Sequence, residues 1–452
     1  ARRCHIAVTT PPCKRHETYL SILRYLEWSL VVLKRKLLAL AVSLCAPLAT
    51  TAAAEDAHGK TARDAMIASI NHAIVVADID GLTAQYRSQD AVEHALAAMA
   101  IERVHGNFEQ SNSIAGTCES SLKASEPFVA HYCARFAAAN LRLMGERQEA
   151  AIEEESIAER YKGVLPAEKL NSPDLTQALL YKTLPPVKVS IPAGITSIPL
   201  KRNPKRSSLV EVTVNGTSLQ LVMDTGGYSI LGEETARKLG VKVLLEKDGN
   251  VHGALGGASV KKLGLIEKLK LGNVEFENLP VSIIDEERNI IGMDALQRLG
   301  AFEVQKDAVL IYGEGASKPA CETPLLLGTT FWGSPPKVLE QVRVDGVPQN
   351  ALFDTGTTFY LTSNQPSTQG PLQRGGELKL RDVTQGSQAV RFARKTSNVE
   401  MAGKNYQVTY ASIEDLKMPY KFILGEGSLI DVHLFVDFKR QVSCLLPRFP
   451  EK

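Results

Sequence analysis

The chain has 452 residues, of which 44% are hydrophobic and 23% charged, an ordinary globular composition that is long enough for two or three domains. Its net charge of +2 is unevenly placed, because residues 1–36 contain eight Lys or Arg and two Asp or Glu, which leaves −4 for the remainder. A mildly acidic body lacks the basic footprint of nucleic-acid binding, so we expect no nucleic acid among its partners.

The beginning of the chain is predicted to carry an export signal. Lys34–Lys36 precede a short apolar run over residues 37–48, and the small residues Ala52–Ala54 follow. This order is typical of a signal peptide, here over residues 34–54, and the run is short for a transmembrane helix. An uncleaved anchor is the alternative. Residues 1–33 are interpreted as an extra or spurious extension. The signal resembles a bacterial one, so we expect a periplasmic or secreted protein that leaves the membrane after cleavage.

Four of the seven cysteines follow the expected cleavage site, and they are Cys118, Cys133, Cys321 and Cys444. An even number of cysteines in an oxidising compartment favours disulfides. Three pairings are possible, and we predict Cys118–Cys133 and Cys321–Cys444 because each pair lies within one predicted domain. Free buried thiols are the alternative. The chain has no C-x-x-C or His-rich cluster, so we expect no metal and no cofactor.

Residues 55–162 are predicted to form a helical domain. Within Asp90–Val104 the apolar residues recur at helical spacing, and Gly106 and Gly145 each separate two helical stretches, 39 residues apart. Helix, Gly turn and helix at that separation resemble tetratricopeptide-like hairpins, and a plain helical bundle is the alternative. We expect this domain to contact a protein partner or the rest of the chain.

A proline-rich linker over residues 163–184 is followed by a β pattern that occurs twice. Each copy has an alternating strand, a two-residue turn and a return strand, which are Val210–Val214, Asn215-Gly216 and 219–223 in one and Val342–Val344, Asp345-Gly346 and 351–353 in the other. The repetition predicts two lobes, over residues 185–315 and 316–452.

Each return strand runs into the same tripeptide. Asp224-Thr225-Gly226 ends the first and Asp354-Thr355-Gly356 ends the second, and each is followed downstream by apolar residues and Gly, namely Ile290-Ile291-Gly292 and Ile423-Leu424-Gly425. A duplicated lobe can bring two carboxylates face to face, and two carboxylates that share one proton can activate water.

The first lobe also has a glycine-rich hairpin, Gly253-Ala254-Leu255-Gly256-Gly257, between its two motifs. This order resembles that of retropepsin-like aspartic proteases, and its repetition resembles the two-lobed pepsin type. The resemblance covers about 185–448. It implies a mainly β fold, a two-lobed acid-protease-like β-barrel pseudo-dimer, here preceded by the α-helical N-terminal domain. It also implies a polypeptide substrate bound in an extended conformation and an active monomer.

The resemblance assigns a role to each part of the repeated motif. Asp224 and Asp354 would be the catalytic pair, and Thr225 and Thr355 would interlock across the two loops. The support would be completed by further residues, which are Gly226, Gly356 and Thr357 beside the carboxyls, the apolar-Gly strands Ile290, Ile291, Gly292, Ile423, Leu424 and Gly425 beneath them, and a mobile flap at 253–257. A hydroxyl at Thr357 would favour the charged form of Asp354, which leaves the proton on Asp224.

The leading interpretation is an aspartic endopeptidase in which water is activated between Asp224 and Asp354. A non-catalytic peptide-binding module on the same scaffold is the alternative. Two further possibilities are that 55–162 is an inhibitory prosegment and that lobes pair between chains. The segment 313–335, rich in Gly, Pro and Ser, is predicted to be a linker long enough for pairing within one chain.

Overall fold

A computed structural model describes residues 62–170, 179–203, 206–252, 257–365, 373–382, 386–413 and 416–448. The chain forms two compact units, residues 1–66 and 67–452. Of the first unit only the helical residues 62–66 are described, and the predicted extension (1–33) and signal peptide (34–54) lie outside the described residues. No helix in these ranges is long and apolar enough to cross a membrane.

The second unit opens with helical residues 67–75, followed by helices joined by short turns: α1 (Ile79–Tyr86), α2 (Ala91–Val104), α3 (Phe108–Leu122), α4 (Pro127–Met144), α5 (Arg147–Arg160) and α6 (Ala167–Leu170). Asp90 caps α2, because its carboxylate accepts the backbone N–H groups of Val92 and Glu93. Gly106 and Gly145 follow α2 and α4 with φ angles of 77° and 90°, which glycine adopts without strain. The helical domain is therefore present, and its tetratricopeptide-like character stays a prediction.

Strands dominate the remainder of the described chain. The first half contains β1 (Lys188–Ser190), β2 (Ile195–Asn203), β3 (Arg206–Val214), β4 (Thr217–Asp224), β5 (Ile230–Gly232), β6 (Lys242–His252), β7 (Gly257–Leu271), β8 (Val274–Ile284), β9 (Ile290–Gly292), β10 (Ala301–Val304) and β11 (Ala308–Tyr312), with helices α7 (Glu233–Lys238) and α8 (Met293–Leu296). The second half contains β12 (Leu327–Gly328), β13 (Lys337–Val344), β14 (Val347–Asp354), β15 (Leu361–Ser363), β16 (Gln373–Asp382), β17 (Gly386–Met401), β18 (Lys404–Ser412), β19 (Phe422–Gly425), β20 (Val432–Asp437) and β21 (Val442–Pro447). Single 3₁₀ turns follow α8 and β19.

The two lobes have the same strand order. The first runs β3-β4-β9-β5-β8-β7-β6 and the second runs β13-β14-β19-β15-β18-β17-β16. In each, the strand that carries Asp-Thr-Gly pairs in parallel with the apolar-Gly strand, β4 with β9 and β14 with β19. The predicted fold class, a mainly β two-lobed acid-protease-like architecture behind an α-helical domain, is confirmed.

The predicted hairpins form because apolar alternation and turn chemistry agree. Val210, Val212 and Val214 are buried along one face of β3. Asn215 and Gly216 connect β3 to β4 with φ angles of 47° and 88°, and Asp345 and Gly346 connect β13 to β14 with 51° and 80°. Positive φ at both turn residues matches the twist of the flanking strands.

A shared sheet joins the two lobes. β10 pairs antiparallel with β20, which pairs with β21, while β11 pairs with β2. Strands β20 and β21, which the sequence places in the second lobe, therefore extend the sheet of the first. The buried core is continuous across the lobes and includes Val212, Phe353 and Leu434.

Candidate active site

The two aspartates stand at the ends of equivalent strands. β4 ends at Asp224 opposite Gly292 of β9, and β14 ends at Asp354 opposite Gly425 of β19. A Cβ at Gly292 would lie 2.3 Å from the carbonyl carbon of Tyr228, and one at Gly425 would lie 2.2 Å from a backbone oxygen. Only glycine fits there, which explains why each apolar run beneath the loops ends in Gly.

The structure brings the two carboxyl groups together. Asp224 and Asp354 are hydrogen bonded to each other through their side chains. A Cβ at Gly226 would lie 2.5 Å from the Asp354 carboxyl carbon, and one at Gly356 would lie 2.7 Å from that of Asp224. The backbone N–H groups of Gly226 and Gly356 donate to the Oδ1 atoms of Asp224 and Asp354, both at 2.8 Å. The two loops therefore hold the carboxyl pair in nearly symmetric surroundings.

The two threonines interlock the loops. The Thr225 hydroxyl donates to the Phe353 carbonyl and the Thr355 hydroxyl donates to the Met223 carbonyl, both at 2.7 Å. Each hydroxyl oxygen also accepts the other threonine's backbone N–H at 3.1 Å. Both side chains are buried, so these four bonds fix the separation of the two aspartates.

Burial and mutual repulsion set the protonation of the pair. Burial, the charge of Asp354 and the hydrogen bond with Asp354 raise the pKa of Asp224 well above its usual range. Burial also raises the pKa of Asp354, but hydrogen bonds from Asp224 and from the Gly356 N–H lower it. These directions favour a proton on Asp224 and the negative charge on Asp354.

Thr357 contacts the pair through its backbone. Its N–H hydrogen bonds to Asp354 and lowers the pKa of that carboxyl. The supporting role that we assigned to the Thr357 hydroxyl stays a prediction. Gly227 takes the corresponding place in the first lobe, where a Cβ would lie 2.6 Å from Asp224 Oδ2.

Sequence reasoning missed a lysine beside the pair. Lys337 begins β13, and the β13–β14 register, in which Leu339 faces Leu352, places it across from Asp354. Burial lowers the pKa of the Lys337 ammonium, while the charges of Asp354 and Asp224 raise it. Lys337 stands 17 residues before Asp354, and Ser207 stands 17 before Asp224. Alignment of the two halves on their aspartates could therefore have drawn attention to this position.

A loop of the second lobe, between β12 and β13, packs against the helical region and leads directly to Lys337. We call residues 329–336 the clamp loop. Arg103 of α2, fully buried, donates to the backbone carbonyls of Thr330 and Phe331 at 3.0 and 2.8 Å. Asn71 accepts the Phe331 N–H at 2.6 Å. The helices thus fix the backbone of the clamp loop.

Aromatic packing also holds the clamp loop, and the C-terminal end of the clamp loop reaches the segment that follows Asp224. Phe331 packs edge-to-face on Phe136 of α4, with ring centroids 4.8 Å apart. Ser334 hydrogen bonds to the Tyr228 hydroxyl, four residues beyond Asp224. The segment 313–335, predicted to be a linker, therefore includes β12 and most of the clamp loop, which is held between the helices and the loop that follows Asp224.

The predicted flap lies mostly outside the described residues. β6 and β7 form an antiparallel hairpin in which His252 faces Gly257, and Gly253, Ala254, Leu255 and Gly256 at its tip are not among the described residues. A flap at 253–257 stays a prediction.

Both predicted disulfides are present. Cys118 of α3 is bonded to Cys133 of α4, and Cys321 is bonded to Cys444 of β21, with Cα separations of 6.0 and 5.9 Å. Within the ranges that the structure covers, no group of three or more His, Cys, Asp or Glu could hold a metal ion.

Comparison with known proteins supports the resemblance drawn from the sequence. Residues 210–295 match the family model described as "Aspartyl protease". Among solved structures, a retropepsin-like aspartic protease from Rickettsia conorii is 23% identical, covers 28% of this chain and 97% of its own, and has a TM-score of 0.22. An aspartic proteinase from Irpex lacteus is 12% identical, covers 56% of this chain and 97% of its own, and has a TM-score of 0.35. No curated protein matches the sequence. The predicted resemblance to aspartic proteases is confirmed by the family match.

Proposed function

We propose that this chain, whose first lobe matches the aspartyl protease family, is an endopeptidase that hydrolyses peptide bonds with a water activated between Asp224 and Asp354. The family match and the fold support a protease. The observation that carries the finer proposal is the hydrogen bond between the carboxyl groups of Asp224, which is buried, and Asp354, which is half-buried, one from each lobe. Such a pair can hold one proton between two acids.

The proposed chemistry uses the two carboxyls in different roles. Ionised Asp354 accepts a proton from the water, whose oxygen attacks the scissile carbonyl carbon. Protonated Asp224 donates a hydrogen bond to the carbonyl oxygen and then its proton, so a neutral tetrahedral diol forms. Its collapse breaks the C–N bond, a proton passes to the leaving nitrogen, and the pair is left with one proton again. No covalent intermediate forms.

Rigid placement supports this mechanism. The crossed bonds of Thr225 and Thr355 leave little freedom for either aspartate, and a catalytic pair needs placement to within about half an ångström. We further propose that an extended polypeptide binds between the lobes beneath the β6–β7 hairpin. The two disulfides support an oxidising location, for which we propose the periplasm or the exterior of a bacterial cell.

The test is cleavage of an unfolded protein by the chain and by the variants Asp224→Asn and Asp354→Asn. Each variant removes one carboxyl and keeps its shape, and we expect kcat/KM to fall by a factor of about 1,000 or more, as for a member of a catalytic unit. The control is Asp285→Asn, an exposed carboxyl of the first lobe, which should cleave like the parent. Pepstatin should inhibit the parent.

The alternative, a non-catalytic peptide-binding module, predicts a different result. The parent would then bind the unfolded protein and leave it intact, and both aspartate variants would bind it equally well. Cleavage that persists in either variant would also contradict the proposal.

A further inference from the structure

The two lobes differ at one position that faces the catalytic pair. The register of β3 with β4, in which Leu209 faces Val222, places Ser207 across from Asp224. The register of β13 with β14 places Lys337 across from Asp354 in the same way. One lobe thus has a neutral serine at this position and the other has a lysine.

Ser207 is occupied with a structural bond. Its hydroxyl donates to the Gly356 carbonyl of the opposite loop at 2.7 Å, which adds a tie between the lobes. Lys337 differs from Ser207 in charge, because its side chain ends in an ammonium that carries a full positive charge. The partly buried Lys337 nitrogen lies 5.5 Å from the Tyr420 ring centroid, and the charges of both aspartates act on it.

The groups around this ammonium are few and identifiable. Asp354 faces it from β14 and Asp224 from β4, while Tyr420 lies in the segment before β19. Tyr228, whose hydroxyl is bonded to Ser334, acts electrostatically on Tyr420. The aspartate pair is therefore the source of negative charge that acts on Lys337.

The position of Lys337 is fixed on both sides. It pairs with Gly328 of β12, and Leu339, two residues on, pairs with Leu352. On its N-terminal side is the clamp loop, whose backbone is held by Arg103. The backbone that carries Lys337 is therefore held in place by contacts within the protein, independently of any substrate.

A pair with one proton carries one negative charge, and the burial of Asp224 and partial burial of Asp354 make that charge costly unless a cation compensates it. We propose that Lys337 is a positioning residue of the catalytic pair, whose ammonium compensates the single negative charge that Asp224 and Asp354 share. This inference rests on the proposed function. The direction of the electrostatics agrees with it, because the charge of Lys337 lowers the pKa of both aspartates.

The first test is the pH profile of kcat/KM for Lys337→Met and Lys337→Arg. Without the nearby cation the pair takes up its second proton at higher pH, so the acid limb of Lys337→Met should move upward by about one pH unit or more. Lys337→Arg keeps the charge and should retain the acid limb of the parent. A general structural defect would lower kcat without moving the limb.

The matched control is Lys421→Met, which removes one exposed positive charge from the same lobe and should leave the profile unchanged. An acid limb of Lys337→Met that coincides with that of the parent overturns the proposal, as does an equal movement in Lys421→Met. If Lys337→Met does not fold, Lys337→Gln serves in its place.

A second readout separates this proposal from the proposed function. Carboxyl ¹³C signals of Asp224 and Asp354, assigned with the two Asn variants, are titrated in the parent and in Lys337→Met. The midpoints should move upward by about one unit or more in the variant, whether or not the parent cleaves anything. If the parent does not cleave and the midpoints shift, the peptidase proposal is rejected and the proposed role of Lys337 is supported. If the parent cleaves and the midpoints do not shift, the peptidase proposal is supported and the proposed role of Lys337 is rejected.

Discussion

The four hydrogen bonds of the threonine hydroxyls beneath the aspartate pair show how much depends on single atoms. Thr225 and Thr355 each place one oxygen between a backbone carbonyl and a backbone N–H of the other loop. Loss of either hydroxyl would leave buried partners unsatisfied, at a cost of about 1–3 kcal/mol for each group. Serine could keep these bonds and valine could not, which explains a hydroxyl residue between Asp and Gly in both loops.

Another single residue makes the free energy of unfolding depend on pH. Glu340 of β13 is buried, one of its carboxylate oxygens has no hydrogen-bond partner in the described structure, and burial raises its pKa from 4.5 to about 8. The folded state therefore keeps a proton that the unfolded chain releases above pH 4.5. Stability is greatest below that pH and falls as the pH rises toward 8.

We expect Glu340→Gln to remove this dependence. Between pH 4.5 and 8 the parent should lose about 4–5 kcal/mol through Glu340, and the variant should lack that part of the loss. Urea denaturation of both proteins at pH 5 and pH 8 measures the difference. Glu377→Gln, on an exposed side chain of β16, is the control. Equal pH dependence of the parent and Glu340→Gln would contradict the prediction.

At the level of elements, the parallel pairs β4–β9 and β14–β19 determine where the two Asp-Thr-Gly loops begin. Each pair brings a glycine beside an aspartate, and the glycine is needed because the backbone of the loop passes directly over it. The same arrangement in both lobes produces a pair of facing carboxyls from two local folding units.

The disulfides join elements over very different chain lengths. Cys118 and Cys133 are separated by 15 residues, and Cys321 and Cys444 by 123. Chain entropy predicts that the shorter link stabilises the fold by about 3 kcal/mol and the longer by about 5 kcal/mol. We therefore expect Cys321→Ala with Cys444→Ala to destabilise the protein more than Cys118→Ala with Cys133→Ala, as measured by non-reducing denaturation. The opposite order would show that native-state effects outweigh loop closure.

Across the whole molecule, the helical region is bound to the protease-like lobes by buried contacts. Arg103 and Phe136 hold the clamp loop, and Arg142 donates to the Trp332 carbonyl at 2.8 Å. A prosegment that leaves on activation would have to expose the fully buried Arg103 and Phe331. These contacts favour a helical region that remains bound to the lobes in the active protein over one that is removed as a prosegment.

Cutting the chain between the helices and the lobes tests this view. Residues 171–178 are replaced by the recognition sequence of a specific protease, and no disulfide in the described structure crosses that point. After cleavage we expect the two fragments to co-elute in size-exclusion chromatography. With Arg103→Met they should separate at a lower urea concentration, because the two hydrogen bonds that the guanidinium makes to the clamp loop in the other fragment are lost. Separation of the parent fragments without denaturant would restore the prosegment interpretation.

Pairing of the lobes within one chain is also decided at this scale. Thr225 and Thr355 of the same chain bond to each other, and β10 pairs with β20. Ser208 adds a further tie, because its backbone N–H and hydroxyl both donate to the Glu426 carboxylate of the second lobe. One chain thus brings both aspartates together, and we expect a monomer to be sufficient for activity.

The sequence alone determined what depends on local chemistry. The alternation of apolar and polar residues and the turns at Asn215-Gly216 and Asp345-Gly346 specify the hairpins. The repeated Asp-Thr-Gly motif specifies the loops that carry the two carboxyl groups. The cysteine pairs could be chosen because each lies within one segment of uniform character. These features are encoded within a few residues or by simple repetition.

Only the tertiary structure decided the rest, because it depends on residues far apart in the chain. The segment around Phe331 has the composition of a linker, yet Phe331 is buried through contacts with helices about two hundred residues earlier. The pairing of β10 with β20 joins the lobes for the same reason. Nothing in the sequence around Lys337 marks it as part of a site, and only the register of β13 with β14 places it across from Asp354, where the charges of both aspartates act on it.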